Sequence, residues 1–190
     1  MQSYDAKFGL PVREPERLID GNRRGGRRNR AVNEDVKETL MRRAIELSAR
    51  TMRQGKGGPF GAIVARDGEV VAEGWNRVTS TNDPTAHAEV TAIRAAAARL
   101  GRFSLAGCDL YTSCEPCPMC LAAAYWARVD HVYYANTRDD AARIGFDDSA
   151  IYGEIGKPPA SQRLPLQRLL GDEAVKVFDE WVAKPDKVMY

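Results

Sequence analysis

Two short stretches hold the residues whose types and spacing can do chemistry. "PTAHAEV" (84–90) carries His87 and Glu89; "TSCEPCPMC" (112–120) carries Cys117 and Cys120 in a Pro-Cys-x-x-Cys pattern. A CxxC alone has three readings: a redox pair, half of a structural zinc site, or half of a catalytic one. His87 discriminates between them, because an imidazole plus two thiolates gives tetrahedral zinc three protein ligands and one position open to water. An open position marks a catalytic centre, and Glu89 then serves beside the metal as a proton shuttle rather than a fourth ligand. The redox reading explains the cysteines and leaves His-Ala-Glu unexplained.

The spacing of Cys117 and Cys120, i and i+3 at an expected helix start, puts both sulfurs on one face. A helix N-terminus also favours thiolate, the form that binds metal. His87 and Glu89 are harder to reconcile, since i and i+2 in a regular helix point roughly 200° apart. Pro116 and Pro118 fix the backbone around Cys117 and suit a helix start. Cys108 and Cys114 fall on an expected strand and read as small buried apolar residues. His131 opens another strand and reads as incidental.

These residues need elements to position them. Asn33 reads as the cap of a helix over 34–54, with Val36, Leu40, Ala44 and Leu47 along one face. "AIVARDGEVVAEGW" reads as a hairpin turning at Asp67-Gly68. A helix is expected over 86–100, a strand over 108–113, an Ala-rich helix ending near Arg128 and a strand over 131–136. After "GFDDS" a loop is expected to about 165, then a helix capped by Asp172 and ending near Ala183. Helices linking the later strands indicate an α/β layered fold.

The 190 residues suit one domain with a sizeable core, over 33–190, preceded by a basic arm, 1–32. The arm holds eight Lys/Arg against four Asp/Glu, whereas the whole chain nets +2. "NRRGGRRNR" (22–30) reads as a solvated tail before it reads as a nucleic-acid contact, which the body does not support with a basic surface. No apolar run reaches the roughly 20 residues of a membrane-spanning helix, and the N-terminus lacks an apolar signal region. A cytoplasmic location is expected, with no membrane partner. There, clustered thiols bind metal more often than they form disulfides.

His-x-Glu followed by Pro-Cys-x-x-Cys is a zinc-deaminase signature. With "GGPFGAIV" (57–64), "NDPTAHAEVTAIR" (82–94), "LYTSCEPCPMC" (110–120) and "GFDDSAIY" (145–152), the chain resembles the cytidine deaminase-like superfamily and, more narrowly, bacterial guanine deaminases. The likeness covers about 34–160 and excludes the arm. It implies a three-layer α-β-α fold around a five-stranded mixed sheet, the fifth strand lying after 153 or coming from a partner. It also implies Zn2+ as cofactor, with activated water attacking carbon 2 of guanine to give xanthine and ammonia. Glu89 would handle the protons. Asn76 matches a substrate-binding asparagine, Phe60 would wall the pocket, and Asp140 would read the guanine amino edge. Tyr190 matches a terminal tyrosine that closes the site in domain-swapped homodimers.

Rival substrates stay open at this point. Guanosine or another nucleoside, a different amino-heterocycle and tRNA adenosine are alternatives; the last lacks the "GFDDS" stretch. A non-enzymatic zinc module is the reading from another class, and it leaves Glu89 without a purpose.

Overall fold

The computed structural model describes residues 32–189. The basic arm up to residue 31 and Tyr190 lie outside them. The chain divides into two units, and the first, described over residues 32–148, contains the whole sheet. Helix α1 (Glu34–Arg53) starts where Asn33 accepts a hydrogen bond from the Asp35 N–H, 3.2 Å, with Glu34 and Asp35 in its first turn. Strands β1 (Gly61–Arg66) and β2 (Glu69–Trp75) pair antiparallel. Asp67 and Gly68 between them both take positive φ, as a type I′ turn requires.

Strand β3 (Asp109–Cys114) pairs antiparallel with β1, and β4 (His131–Asn136) pairs parallel with β3, giving the order β2-β1-β3-β4. A parallel pair needs a crossover, and α4 (Pro118–Ala127) supplies it. Strand alternation sorts the core into two clusters. Ile63, Ala65 and Tyr111 pack with Leu40, Ala44 and Leu47 of α1. Ala62, Val64 and Leu110 pack with α3 (Ala88–Leu100) and α4 on the other face. This unit is therefore a three-layer α-β-α sandwich.

Helix α3 lies unusually close to the sheet. Ala88, Ala92 and Ala96 are buried on its inner side, and a Cβ at Gly74 of β2 would run into the Ala88 carbonyl and the Ala92 amide. That contact holds the start of α3 against the end of β2. Two short helices complete the unit, α2 (Val78–Thr81) and α5 (Arg138–Arg143), neither anticipated from periodicity.

The second unit includes residues 149–189, with α6 (Ser149–Ile155), a 3-10 turn (Pro159–Ser161) and α7 (Gly171–Ala183). Its beginning corrects the expected long loop: Ile151 and Ile155, four residues apart, share one face of α6. Asp172 is not the cap of α7. Leu170 holds that position in the left-handed region, and Asp172 and Glu173 sit in the first turn, where the helix dipole favours carboxylates. The five-stranded sheet is also corrected, to four strands among the described residues. Between α6 and α7, Pro158, Pro159 and Pro165 remove backbone donors that a ladder would need.

Candidate active site

The two chemical stretches meet at adjacent helix starts. His87 is the N-cap of α3, with φ −67° and ψ 158°, and Cys117 is the N-cap of α4, with φ −64° and ψ 168°. Neither side chain makes a capping bond, so each projects off its helix. This resolves the difficulty of His87 and Glu89: His87 precedes the helix in extended backbone, and Glu89 follows on the first turn. Pro118 occupies the first turn of α4, where its missing N–H costs nothing. Cys120 follows inside that turn, fully buried.

His87 Nδ1 lies 3.5 Å from Cys117 Sγ and 3.5 Å from Cys120 Sγ. All three donor atoms fall within 4.8 Å of one another, and among the described residues this is the one His/Cys/Asp/Glu cluster of metal-binding geometry. Zinc bonds of about 2.3 Å to sulfur and about 2.0 Å to nitrogen, at a tetrahedral angle, put such atoms about 3.5 Å apart. The trio therefore fits zinc as it stands, with two soft sulfurs and one imidazole nitrogen. It leaves the fourth corner to a ligand from outside this set.

The electrostatics of the cluster follow from crowding. Cys117 is drawn down to about 4, chiefly by the Cys120 thiol that hydrogen-bonds to it, and also by His87. Cys120 is pushed up by the same partner and by burial. His87 is raised by its bond to Cys117. Glu89 is 6% exposed, and burial lifts its carboxyl above the ordinary range. A carboxyl in that environment can hold a proton as well as give one.

Asn76 follows the last residue of β2 and is 7% exposed. Its Oδ1 accepts from the backbone N–H groups of Gly58 and Val78, each 3.3 Å, which fixes the oxygen end of the amide and leaves Nδ2 as a donor. The Arg77 N–H donates to the Ala86 carbonyl, 2.9 Å, tying this corner to the chain entering His87. Phe60 packs edge-to-face on Phe146, centroids 5.0 Å apart at 89°.

Asp140 is engaged elsewhere. Its Oδ2 accepts from the Thr137 N–H and hydroxyl, 2.9 and 2.8 Å, and its Oδ1 from Arg143, 2.6 Å, in a capping box that starts α5. Asp148, eight residues further on, sits in a different environment. It is half-buried, and its carboxyl is raised by burial and by the nearby charge of Cys117. It lies within "GFDDSAIY" and was not among the residues expected at the site. The available signal was Thr137 followed three residues later by Asp140, a capping-box spacing that already assigns Asp140 to a helix start. Tyr190 lies outside the described residues. Cys108 and Cys114 are buried free thiols, and His131 pairs with Asp109 at 2.8 Å, away from the cluster.

Residues 34–136 match the family model of the cytidine and deoxycytidylate deaminase zinc-binding region. The guanine deaminase of Bacillus subtilis (strain 168) is 53% identical over 144 residues, spanning 76% of this chain and 92% of that one. An X-ray structure of guanine deaminase from Bacillus subtilis matches with a TM-score of 0.79 at 51% identity, covering 80% of this chain and 98% of that one. The tRNA-specific adenosine deaminase of Aquifex aeolicus (strain VF5) is 30% identical over 148 residues, 78% of this chain and 95% of that one.

Proposed function

This chain belongs to the zinc-binding cytidine and deoxycytidylate deaminase family, and within it we propose that it hydrolyses guanine to xanthine and ammonia. The observation that carries the reading is the donor trio of His87, Cys117 and Cys120 with Glu89 buried beside it. The choice of guanine is supported by the 53% identity to the Bacillus subtilis enzyme.

His87, Cys117 and Cys120 would hold the zinc, with the start of α4 favouring the thiolates. Zinc supplies the Lewis acidity that makes water nucleophilic near neutral pH. Glu89 accepts a proton from the attacking water and delivers it to the ring nitrogen beside carbon 2. It then takes a second proton from the hydroxyl now on carbon 2 and passes it to the departing amine, so the carbon–nitrogen bond breaks, the carbonyl forms, and one water is consumed for each ammonia released. Burial suits Glu89 to both directions of transfer.

Asn76 Nδ2 donates to an acceptor on the base, and Phe60 with Phe146 supplies the apolar wall. Asp148 takes the part first given to Asp140, accepting from the N–H edge of the base. A homodimer with exchanged C-terminal segments belongs to the same reading. In it the partner supplies a closing Tyr190, supported by the apolar stripe Val175, Phe178 and Val182 on α7. Removing the last four residues should raise KM with zinc retained; an unchanged KM would discard the exchange. Four free thiols agree with a cytoplasmic site of action. No helix among the described residues is long and apolar enough to cross a membrane.

Ammonia release from free bases, nucleosides and tRNA tests the substrate. Guanine is expected to lead. Release from guanosine alone would move the reading to a nucleoside deaminase, and release from tRNA alone would overturn it.

A further inference from the structure

We propose that Glu115 is a positioning residue: it seats helix α5 on the metal-binding loop and so sets how firmly the base is held, with no part in holding zinc. The inference rests on the deaminase reading above, because it concerns the wall on the far side of the base.

Glu115 lies between the end of β3 and Cys117. Its backbone N–H donates to the Asn136 carbonyl, 2.8 Å. Its carboxylate then reaches past β4: Oε2 accepts from the Arg138 backbone N–H, 3.2 Å, and Oε1 lies 3.5 Å from the Arg138 guanidinium. The neighbouring Cys114 thiol donates to the Thr137 carbonyl, 3.6 Å. Residues 114–115 are thus stitched to 136–138 by backbone, carboxylate and thiol together. The Glu115 side chain is only 21% exposed, so water screens its bonds weakly.

The seat matters because of what α5 carries. Six residues make too short a helix to persist by themselves, and this one is closed at both ends. At its start stands the Thr137–Asp140 capping box. At its end the Gly145 N–H bonds the Ala142 carbonyl and the Phe146 N–H bonds the Ala141 carbonyl, each 3.0 Å, with Gly145 at φ +94°. That is a Schellman closure, and it fixes the direction in which Phe146 leaves the helix. The result is a short strut running from Glu115 to Phe146, which abuts Phe60, with Asp148 two residues beyond. Arg138 contributes a second link, since its charge also bears on Asp148 and opposes the effect of Cys117 there.

The full-length protein tests this with Glu115→Ala, Glu115→Gln and Arg138→Pro. Proline at the first position of α5 preserves the helix while deleting the N–H that Glu115 accepts from, so this variant remains informative if Glu115→Ala folds poorly. Three readouts are needed: zinc content, the kcat and KM of whichever base or nucleoside the wild type deaminates, and amide exchange along 138–148. Zinc should stay at one per chain in all three. Glu115→Ala and Arg138→Pro should each raise KM about tenfold, the scale of one lost charge-assisted hydrogen bond, with kcat falling much less. The double variant should be no worse than either single one. Exchange should accelerate through 138–148 but not through 109–114. Glu115→Gln, whose amide oxygen still accepts from Arg138, should recover most of the KM. Unchanged KM and exchange, zinc loss alongside the KM rise, additive single variants, or a Glu115→Gln protein as impaired as Glu115→Ala would each overturn the proposal. Failure of the substrate reading would be visible separately, as a wild type inert toward guanine, while amide exchange would still report on the seat.

Discussion

Helices α1 and α5 begin as helices usually do, and α3 and α4 do not. Asn33 and Thr137 turn their side chains back onto their own backbones. His87 and Cys117 occupy the same N-cap position and turn theirs outward, to meet across 3.5 Å. A side-chain cap contributes about 1 kcal/mol, and α3 and α4 forgo it. Part of the compensation is tertiary: α3 is pressed onto the sheet at Gly74, and α4 has Pro118 preorganising its first turn. The cap position projects a side chain away from the helix axis while the dipole behind it favours anions. Two such starts side by side make a site for a cation held by thiolates.

Breaking the comparison at its strongest point gives the largest effect. Cys117→Ala should lose zinc and with it all measurable turnover, whereas Cys108→Ala, buried in the apolar core, should keep both. Elemental analysis of the two proteins decides this, and equal zinc loss would sink the ligand assignment. Glu89→Gln comes next. It should keep zinc and fold and lose roughly 10²–10⁴-fold in kcat, the usual contribution of a positioned acid/base. Near-normal turnover by a zinc-loaded Glu89→Gln protein would remove the shuttle role.

Much of this contrast was legible before the structure. The α1 start at Asn33, the turn at Asp67-Gly68 and the β4 strand over 131–136 follow from local chemistry, and each was found where expected. The donor trio was legible because few chemistries need His-x-Glu and Pro-Cys-x-x-Cys together. What escaped lay in short elements with little periodicity, or in a local spacing that was not weighed. Two acids eight residues apart, Asp140 and Asp148, look interchangeable until α5 is seen to hold one in its capping box, while the other is half-buried with its carboxyl raised by burial and by the charge of Cys117. Helices α5 and α6 are too short for periodicity to announce. The expected fifth strand came from likeness, not from any alternating run after 153.

Smaller effects sharpen the comparison further. His87→Asn would give α3 a conventional cap. It should bind zinc poorly, yet both proteins stripped of metal should reverse the usual order, the variant gaining about 1 kcal/mol over wild type. Asn33→Ala should lose a similar amount from α1 without touching zinc or turnover. Chemical denaturation checks the pair, and a His87→Asn protein no more stable than stripped wild type would contradict the idea that α3 gave up its cap for the metal. Deleting residues 1–30, outside both kinds of helix start, should leave kcat and KM for guanine within about twofold, on the scale of a solvated tail. A steady-state assay would show whether the arm builds part of the site instead.

The most direct test is zinc-edge X-ray absorption on the purified, zinc-loaded protein. Two sulfur neighbours at about 2.3 Å and two nitrogen or oxygen neighbours at about 2.0 Å are expected. They would correspond to Cys117, Cys120, His87 and one ligand that the chain does not supply. A third sulfur, from Cys114 or Cys108, or a fourth from both, would make the centre a closed structural site and would contradict a catalytic metal at these two helix starts.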